Sequence, residues 1–399
     1  MKRCRGKAVV SVLGIVAMTS LAIASFLLRA PLRSSRFDLQ HIYGTLSGLS
    51  TRRDGYVDST SKSAKQVGMN LPKPEIRMSS YSNCSNMLDD VTIGHVTGEG
   101  TTFSSEFLST KHLTSSTNLI PRILHQTWDG LRVPNNTVPW IKSIVSRHPD
   151  WEYWFWTQDD IKCFLRHKYP NYVKLYSNYS AMIFKTDVMR YFVLYDIGGI
   201  YLDLDVECLQ PLDVWTTLSA AILSHETYEQ VFLMRQRTKP NVMTTILASR
   251  PHHPFYKLLQ LNLEKYHKMK PMDVLHSTGP YFLDDIYNLY ISLRNLSKSE
   301  DDILVLHPKY WLPTYDNLMS MEKLCSSCEL LVRNADILQL CAQAKKKAFR
   351  NIPDQDSYLK HHWVHTNLLP STYKTRSLVD ITSIVPNFVP VSKRLNLQC

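Results

Sequence analysis

Four residues in this chain are the best placed by type and spacing to do chemistry: Asp187, Arg190, Asp203 and Asp205. The two later acids stand in the apolar run Ile200-Tyr201-Leu202-Asp203-Leu204-Asp205-Val206. Read as one strand over 200–207, this run alternates, so both acids share a face and Leu202, Leu204 and Val206 take the other. Two carboxylates on one side of a buried strand repel each other and lose hydration. A divalent cation removes both problems. Hard oxygen ligands suit Mg²⁺ or Mn²⁺, which keep positions open for substrate phosphates. Two solvated acids at a strand end give the same spacing, so Asp-x-Asp by itself leaves both readings open.

The element before this strand must bring the partners. Residues 186–196 read as a helix in which Asp187, Arg190, Tyr191 and Leu194 fall at i, i+3, i+4 and i+7 and share a face. An Asp and the forked donors of an Arg on that face suit the hydroxyls and phosphate of one ligand. An Asp in a first helical turn paired with an Arg one turn on gives the same pattern for purely structural reasons. Gly198-Gly199 allows a left-handed helix stop and a direct return into the strand, which would gather the four residues around one cleft.

Around this block, short apolar runs alternate with helical patterns. Residues 123–126 and 152–156 read as strands, and 140–147 and 158–168 as helices, the second ended by Tyr169-Pro170. Strands separated by helices argue for an α/β sheet with crossover connections. This dense, aromatic-rich region begins at Asn118, and a catalytic domain is expected over 118–375 with a C-terminal tail over 376–399. Residues 29–117 read as a solvated stem, with 26 Ser and Thr among the 88 residues 30–117.

The chain has 399 residues and a formal charge of +11, but seven positive residues precede the first acid, Asp38, which leaves +4 on the rest. That distribution argues against a nucleic-acid partner. Residues 8–28 form a run of 21 residues without a charge, long enough as a helix for the roughly 30 Å hydrocarbon core. Its length favours a retained signal-anchor over a cleaved signal peptide. Four N-glycosylation triplets follow, at Asn83, Asn135, Asn178 and Asn295. The expected topology is a cytosolic tail over 1–7, one span, and a lumenal remainder in a Golgi-type membrane. Seven of the eight cysteines fall after Cys4, an odd number, so at least one is free or pairs with another chain. For Cys325, Cys328 and Cys341, disulfide pairing is favoured over zinc on compartment grounds.

The order Asp187-x-x-Arg190-Tyr191, Leu194-Tyr195, Gly198-Gly199-Ile200-Tyr201-Leu202-Asp203-x-Asp205 resembles a family of retaining glycosyltransferases with a DXD-containing sugar-binding region. Its members include the fungal inositol phosphoceramide mannosyltransferases and the yeast initiating α-1,6-mannosyltransferase. Ile120-Pro121-Arg122-Ile123-Leu124-His125-Gln126-Thr127-Trp128 resembles the family's opening strand, Trp154-Phe155-Trp156-Thr157-Gln158-Asp159 its next strand and turn, and Ser277-Thr278-Gly279-Pro280 a downstream segment. The resemblance covers about residues 119–370. It implies a nucleotide-diphospho-sugar transferase fold of the GT-A-like type, an α/β sandwich with a Rossmann-like half.

It also implies roles. Asp203 and Asp205 would hold Mn²⁺ (or Mg²⁺) on the donor diphosphate, and Asp187 and Arg190 would contact the donor sugar. His125, Gln126 and Trp128 would lie near the nucleotide, with Tyr201 in the donor-binding set and Asp187 and Asp205 as the catalytic pair. Transferases of this fold often take another metal ligand from late in the domain. His361, His362 and His365 are the candidates, the first two preferred. The implied activity is transfer of mannose from GDP-mannose to a lipid or glycan acceptor, favoured as an inositol phosphoceramide-like sphingolipid. A UDP-sugar-dependent α-1,4-galactosyl- or N-acetylglucosaminyltransferase is the alternative within the same core motif. Two other classes stay open: a retaining glycosidase, whose paired carboxyls stand about 5–5.5 Å apart, and an inactive relative that binds nucleotide or glycan.

Overall fold

The computed structural model describes residues 88, 101–102, 119–234, 239–294, 301–318, 320–327, 331, 335–364 and 377–398. The apolar run at 8–28 and nearly all of the expected stem lie outside the described residues. Among the described residues, no helix is long and apolar enough to cross a membrane.

In chain order the elements that build the site are β1 (Ile123–Thr127), β2 (Arg132–Pro134), α1 (Val138–Arg147), β3 (Glu152–Trp156), α2 (Gln158–Lys168), α3 (Met182–Asp196), β4 (Gly199–Leu202), β5 (Val206–Cys208), β6 (Ala221–Ser224) and β7 (Ile246–Ser249). They continue with α4 (Pro254–Met269), α5 (Val274–Ser277), α6 (Pro280–Leu293), β8 (Ile303–Leu306), α7 (Ala335–Lys346), β9 (Leu359–His361) and β10 (Leu378–Asp380). Six strands form one sheet in the order β3-β1-β4-β7-β6-β8. β1 runs parallel to β3 and β4, and β6 parallel to β8, while β7 is antiparallel to both of its neighbours. The carboxyl ends of five strands therefore share one edge with the amino end of β7, and the site is assembled on that edge.

Strand alternation explains how the sheet is covered on both faces. Trp154, Trp156, Tyr201, Leu223 and Leu247 enter one core with Tyr191, Phe192 and Phe282 from α3 and α6. Their neighbours Tyr153, Phe155, Ile200, Leu202, Ile222 and Ile246 enter the other, with Ile141 and Ile144 of α1. Strands buried on both faces need apolar residues at successive positions, which is what β3 and β4 carry. The helix starts are also specified locally. Thr157 and Asp160 form a reciprocal capping box at α2, and Pro254 and Pro280 open α4 and α6.

The α3-to-β4 return depends on Gly198 (φ 76°) and Gly199 (φ 96°), both left-handed. A Cβ on Gly199 would stand 2.6 Å from the Ile123 carbonyl oxygen and 2.9 Å from His125 Nε2. The two strands approach too closely there for any side chain.

Two expectations change at the margins. Residues 377–398, expected as a tail, contribute β10, which pairs antiparallel with β2, and a short helix Val391–Arg394 whose Arg394 reaches Glu152 at 2.6 Å. From the expected stem, Leu88 is buried in a third core beside Tyr315 and Leu338, and Thr101 makes a parallel bridge to Leu306. The reason is the same in both cases: sheet edges and apolar flanks of the domain need covering, and adjacent chain supplies the cover. Cys325 is disulfide-bonded to Cys341, closing the third core, and Cys163 is disulfide-bonded too. Cys208 is free and buried.

Two stability predictions follow from this architecture. Gly199→Ala combines a left-handed Cβ with a backbone clash and is expected to lower unfolding free energy by about 2–4 kcal/mol; an unchanged urea midpoint would refute this. Burial holds His125, His225 and His253 neutral, each pushed down to about 4. Their folded values lie below the unfolded one of about 6.5, so their contribution is present above that pH and is lost as pH falls toward 4. His148, His307 and His362 are lowered too, so six histidines of this kind stand against the four raised groups that act in the opposite sense, Asp187 (about 6), Asp203, Glu229 and His361. The urea midpoint should therefore drop between pH 7 and pH 4.5.

Candidate active site and metal centre

The chain bends where the two acids stand. Asp203 is still tied to the main sheet, its N–H donating to the Thr245 carbonyl at 3.0 Å. Three residues on, the Val206 N–H donates to the Asp203 carbonyl at 3.1 Å, closing a tight turn. β5 then leaves the sheet and pairs antiparallel with β9, Val206 standing opposite His361. The single strand expected over 200–207 is thus two strands in two sheets. Asp203 and Asp205 meet through the turn between them, not by sharing a face of one pleated strand.

That turn delivers both carboxylates to His361. Ligand atoms of Asp203, Asp205 and His361 all lie within 4.8 Å of one another. The Asp205 side chain is oriented by His361 Nε2 at 3.1 Å and by the Val364 N–H, which donates to Oδ2 at 2.9 Å. Two carboxylates and one imidazole on a partly open surface form a donor set that fits a hard divalent cation with positions left for a ligand, and the imidazole suits Mn²⁺ better than Mg²⁺. Asp203 is 26% exposed and Asp205 17%, so a ligand can reach them. His362 is not part of this group. As the next residue after a strand position it turns to the other side, where Nε2 meets Glu207 Oε2 at 2.9 Å and its ring stacks on Trp140 at 4.2 Å. His365 lies outside the described residues.

Behind Asp203 stands a buried ion pair. Arg190, 3% exposed, reaches Asp187 Oδ1 and Asp203 Oδ1 with the same NH2, each at 3.2 Å. Its NH1 donates to the Thr244 carbonyl, and its guanidinium lies over the Tyr201 ring at 4.4 Å. The Tyr201 hydroxyl donates to Asp203 Oδ1 at 2.9 Å. Asp187 is itself buried and accepts from the Thr278 hydroxyl at 2.9 Å on Oδ2. The helical spacing of Asp187 and Arg190 therefore yields both an intrahelical pair and a link forward to the acid turn.

The β1 residues lie deeper. His125 and Gln126 are fully buried. Trp156 Nε1–H donates to His125 Nδ1 at 3.1 Å, which leaves Nε2–H to donate to the Gly198 carbonyl at 2.8 Å. Both ring nitrogens are thus spent, Nδ1 on Trp156 and Nε2 on the glycine return. Gln126 donates to the Asp203 carbonyl at 3.1 Å and accepts from the Tyr153 hydroxyl at 2.7 Å, so it braces the acid turn from beneath. Trp128 is half-buried against the second core, its N–H donating to the Trp156 carbonyl. The backbone groups of Thr244, Thr245 and Val364 also shape the site. No side-chain pattern advertises a backbone atom, so the sequence carried no sign of them.

Electrostatics separate the acids. Burial pushes Asp205 up, but the adjacent His361 and the Val364 N–H more than offset this and hold its carboxyl down at about 2. Asp203 is raised because burial outweighs the Arg190 charge beside it, and burial likewise lifts Asp187 to about 6 against Arg190 and Thr278. Burial opposes charge on His361, yet Asp205 overcomes it and the imidazole is raised. A site whose acids are raised by burial at one end and depressed by a cation at the other is typical of ligand-binding centres.

With this geometry established, comparison with known proteins is decisive for part of the chain. Residues 134–227 match the family described as glycosyltransferase sugar-binding region containing DXD motif. Over residues 134–227 the chain is thus similar to a glycosyltransferase sugar-binding region. The acid turn, the α3 pair and the glycine return all lie inside the matched residues. Relatives include inositol phosphoceramide mannosyltransferase 3 of Schizosaccharomyces pombe, 34% identical over 44% of this chain and 46% of the relative. Mannosyl phosphorylinositol ceramide synthase CSH1 of Saccharomyces cerevisiae is 28% identical over 59% and 60%. The initiation-specific α-1,6-mannosyltransferase of the same yeast is 27% identical over 32% and 28%. The chain spans about half the length of the first of these curated relatives. Among solved structures, mouse xyloside xylosyltransferase 1 aligns with a TM-score of 0.36 at 10% identity over 62% of this chain and 98% of that one. The PaToxG glycosyltransferase aligns at 0.34 and 14% over 47% and 76%.

The two neighbouring histidines His361 and His362 should differ sharply in a metal titration. Calorimetry with Mn²⁺ is expected to show affinity reduced at least about tenfold in His361→Ala and less than about threefold in His362→Ala. Equal losses would contradict the assignment of ligand and neighbour.

Proposed function

We propose that this protein is a metal-dependent, retaining glycosyltransferase of GT-A-like fold that transfers mannose from GDP-mannose to an inositol phosphoceramide-like lipid. We place it on the lumenal side of a Golgi-type membrane, held by a single anchor at 8–28. The observation that carries the reading is the meeting of Asp203, Asp205 and His361 directly in front of the Asp187–Arg190 pair. The names of the relatives support the sugar and the lipid. The single reversed strand in an otherwise parallel sheet, covered on both faces, is consistent with the fold.

In this reading Asp203, Asp205 and His361 hold Mn²⁺ (or Mg²⁺), which when bound supplies neutralising charge for the donor diphosphate as it leaves. Arg190 and the Tyr201 hydroxyl keep Asp203 oriented. Asp187, with one oxygen on Arg190 and the other on Thr278, keeps lone pairs for sugar hydroxyls and offers negative charge as the anomeric carbon becomes positive. The acceptor hydroxyl attacks on the face from which the nucleotide departs and passes its proton to the leaving phosphate oxygen as the anomeric carbon–phosphate oxygen bond breaks, which preserves the anomeric configuration without a covalent enzyme intermediate.

A panel of GDP-, UDP- and CMP-sugars with Mn²⁺ tests this, with nucleotide release as the signal. Release is expected from GDP-mannose, abolished by chelator and reduced at least about a hundredfold in Asp205→Ala. Release from a UDP-sugar alone would move the reading to the galactosyl- or N-acetylglucosaminyltransferases. Chelator-insensitive cleavage of a glycan without nucleotide would replace it with a glycosidase.

A further inference from the structure

The Asp187 carboxylate is held from two sides, and the second side comes from a part of the chain outside the DXD-matched region. At the junction of α5 and α6, the Thr278 hydroxyl donates to Asp187 Oδ2 at 2.9 Å. Thr278 is itself fully buried and fixed. The Tyr191 hydroxyl donates to its carbonyl at 2.6 Å, and its own N–H donates to the Val274 carbonyl at 3.2 Å. The next residue has no room for a side chain, since a Cβ on Gly279 would stand 2.9 Å from the Val274 carbonyl oxygen, with Asp187 Oδ2 3.5 Å away.

From Thr278 an unbroken series of contacts runs to the acid turn. Asp187 Oδ1 meets Arg190 NH2, and the same nitrogen meets Asp203 Oδ1, whose other donor is the Tyr201 hydroxyl. Every member before Asp203 is buried to 5% exposure or less. In a buried series, losing one donor strands an acceptor, and its neighbours re-aim to satisfy it. Here the guanidinium is shared. An Asp187 oxygen that loses Thr278 competes for Arg190, and Asp203 is the group from which Arg190 is drawn.

We propose that Thr278 is a positioning residue for the metal-binding acids: through Asp187 and Arg190 it sets the orientation of the Asp203 carboxylate. Thr278 touches neither metal nor donor; it acts at second hand. The inference rests on the reading of Asp203 as a metal ligand, and its test separates the two.

The full chain is titrated with Mn²⁺, followed by electron paramagnetic resonance, for the wild type, Thr278→Val, Thr278→Ser and Asp205→Ala. Valine keeps the shape and removes the donor; serine keeps the donor. The expected result is a three- to tenfold weaker Mn²⁺ affinity in Thr278→Val, with Thr278→Ser within twofold of the wild type. The Mn²⁺ concentration for half-maximal activity should rise in parallel. Ser277→Ala, which removes a fully buried hydroxyl that makes no hydrogen bond in the same segment, should match the wild type and excludes a packing effect. Equal affinities in wild type and Thr278→Val, or equal losses in the valine and serine variants, overturn the proposal while leaving the metal site standing if Asp205→Ala still abolishes binding. A crystal structure of ligand-free Thr278→Val reads the same point with no metal at all. The Asp187 carboxylate is expected to rotate and Arg190 to shift from Asp203, and an unmoved pair overturns the proposal even if the metal reading itself fails.

Discussion

One guanidinium decides whether this site can exist. Asp187 and Asp203 are brought close by the fold in a setting that penalises charge, and Arg190 is the cation between them. Buried charges survive only when paired and hydrogen-bonded, and the pairing here is complete in a specific sense. Arg190 has two carboxylates, the backbone carbonyls of Thr186 and Thr244, and an aromatic face as partners, so its forked donors are nearly all used. A lysine could not fill this place, because a single ammonium cannot bridge two carboxylates and a carbonyl in one plane while lying flat on Tyr201. The architecture around it, from the glycine return to the α5–α6 junction, serves to bring these partners to one point.

The second charged group, Asp205, is treated differently. It has been moved out of the main sheet by the turn after Asp203, and its counterion is an imidazole from β9. Two acids separated by a single residue therefore sit in unlike electrostatic surroundings, one tied to a permanent cation and one to a titratable base. Such a division leaves the second acid with a partner that can release it to a metal, since a neutral imidazole is itself a good ligand.

Much of the fold was legible because burial on both faces leaves a strong mark. β3 and α2 fall where the apolar runs and the Thr157 cap place them, and α1 and α3 differ only by extra residues at their starts. The site was legible in its residues but not in its construction. Asp187, Arg190, Asp203 and Asp205 could be singled out by type and spacing, whereas alternation predicted a shared strand face that the bend into β5 replaces. Nothing local to Leu204 announces that bend, because it is imposed by pairing with β9 about 150 residues later. His361 and His362 were indistinguishable for the same reason: only the register of β5 with β9 decides which imidazole faces the acids. His125 shows the converse. A histidine in a family-like block invites a ligand-contacting role, yet its two nitrogens hold Trp156 and Gly198 in place.

The β5–β9 pairing also has a bearing on biosynthesis. His361 is separated from Asp205 by 156 positions, and the strand that carries it is the only one described to pair with β5. During synthesis the two acids and their arginine leave the ribosome well before the strand that completes the triad, and domains fold largely as their chain emerges. Until then Asp205 has neither its imidazole nor the Val364 amide. A polypeptide that stops short of residue 361 would contain the whole family-matched segment and still lack a finished centre. In the proposed reading, synthesis must pass residue 361 before Asp203, Asp205 and His361 can meet.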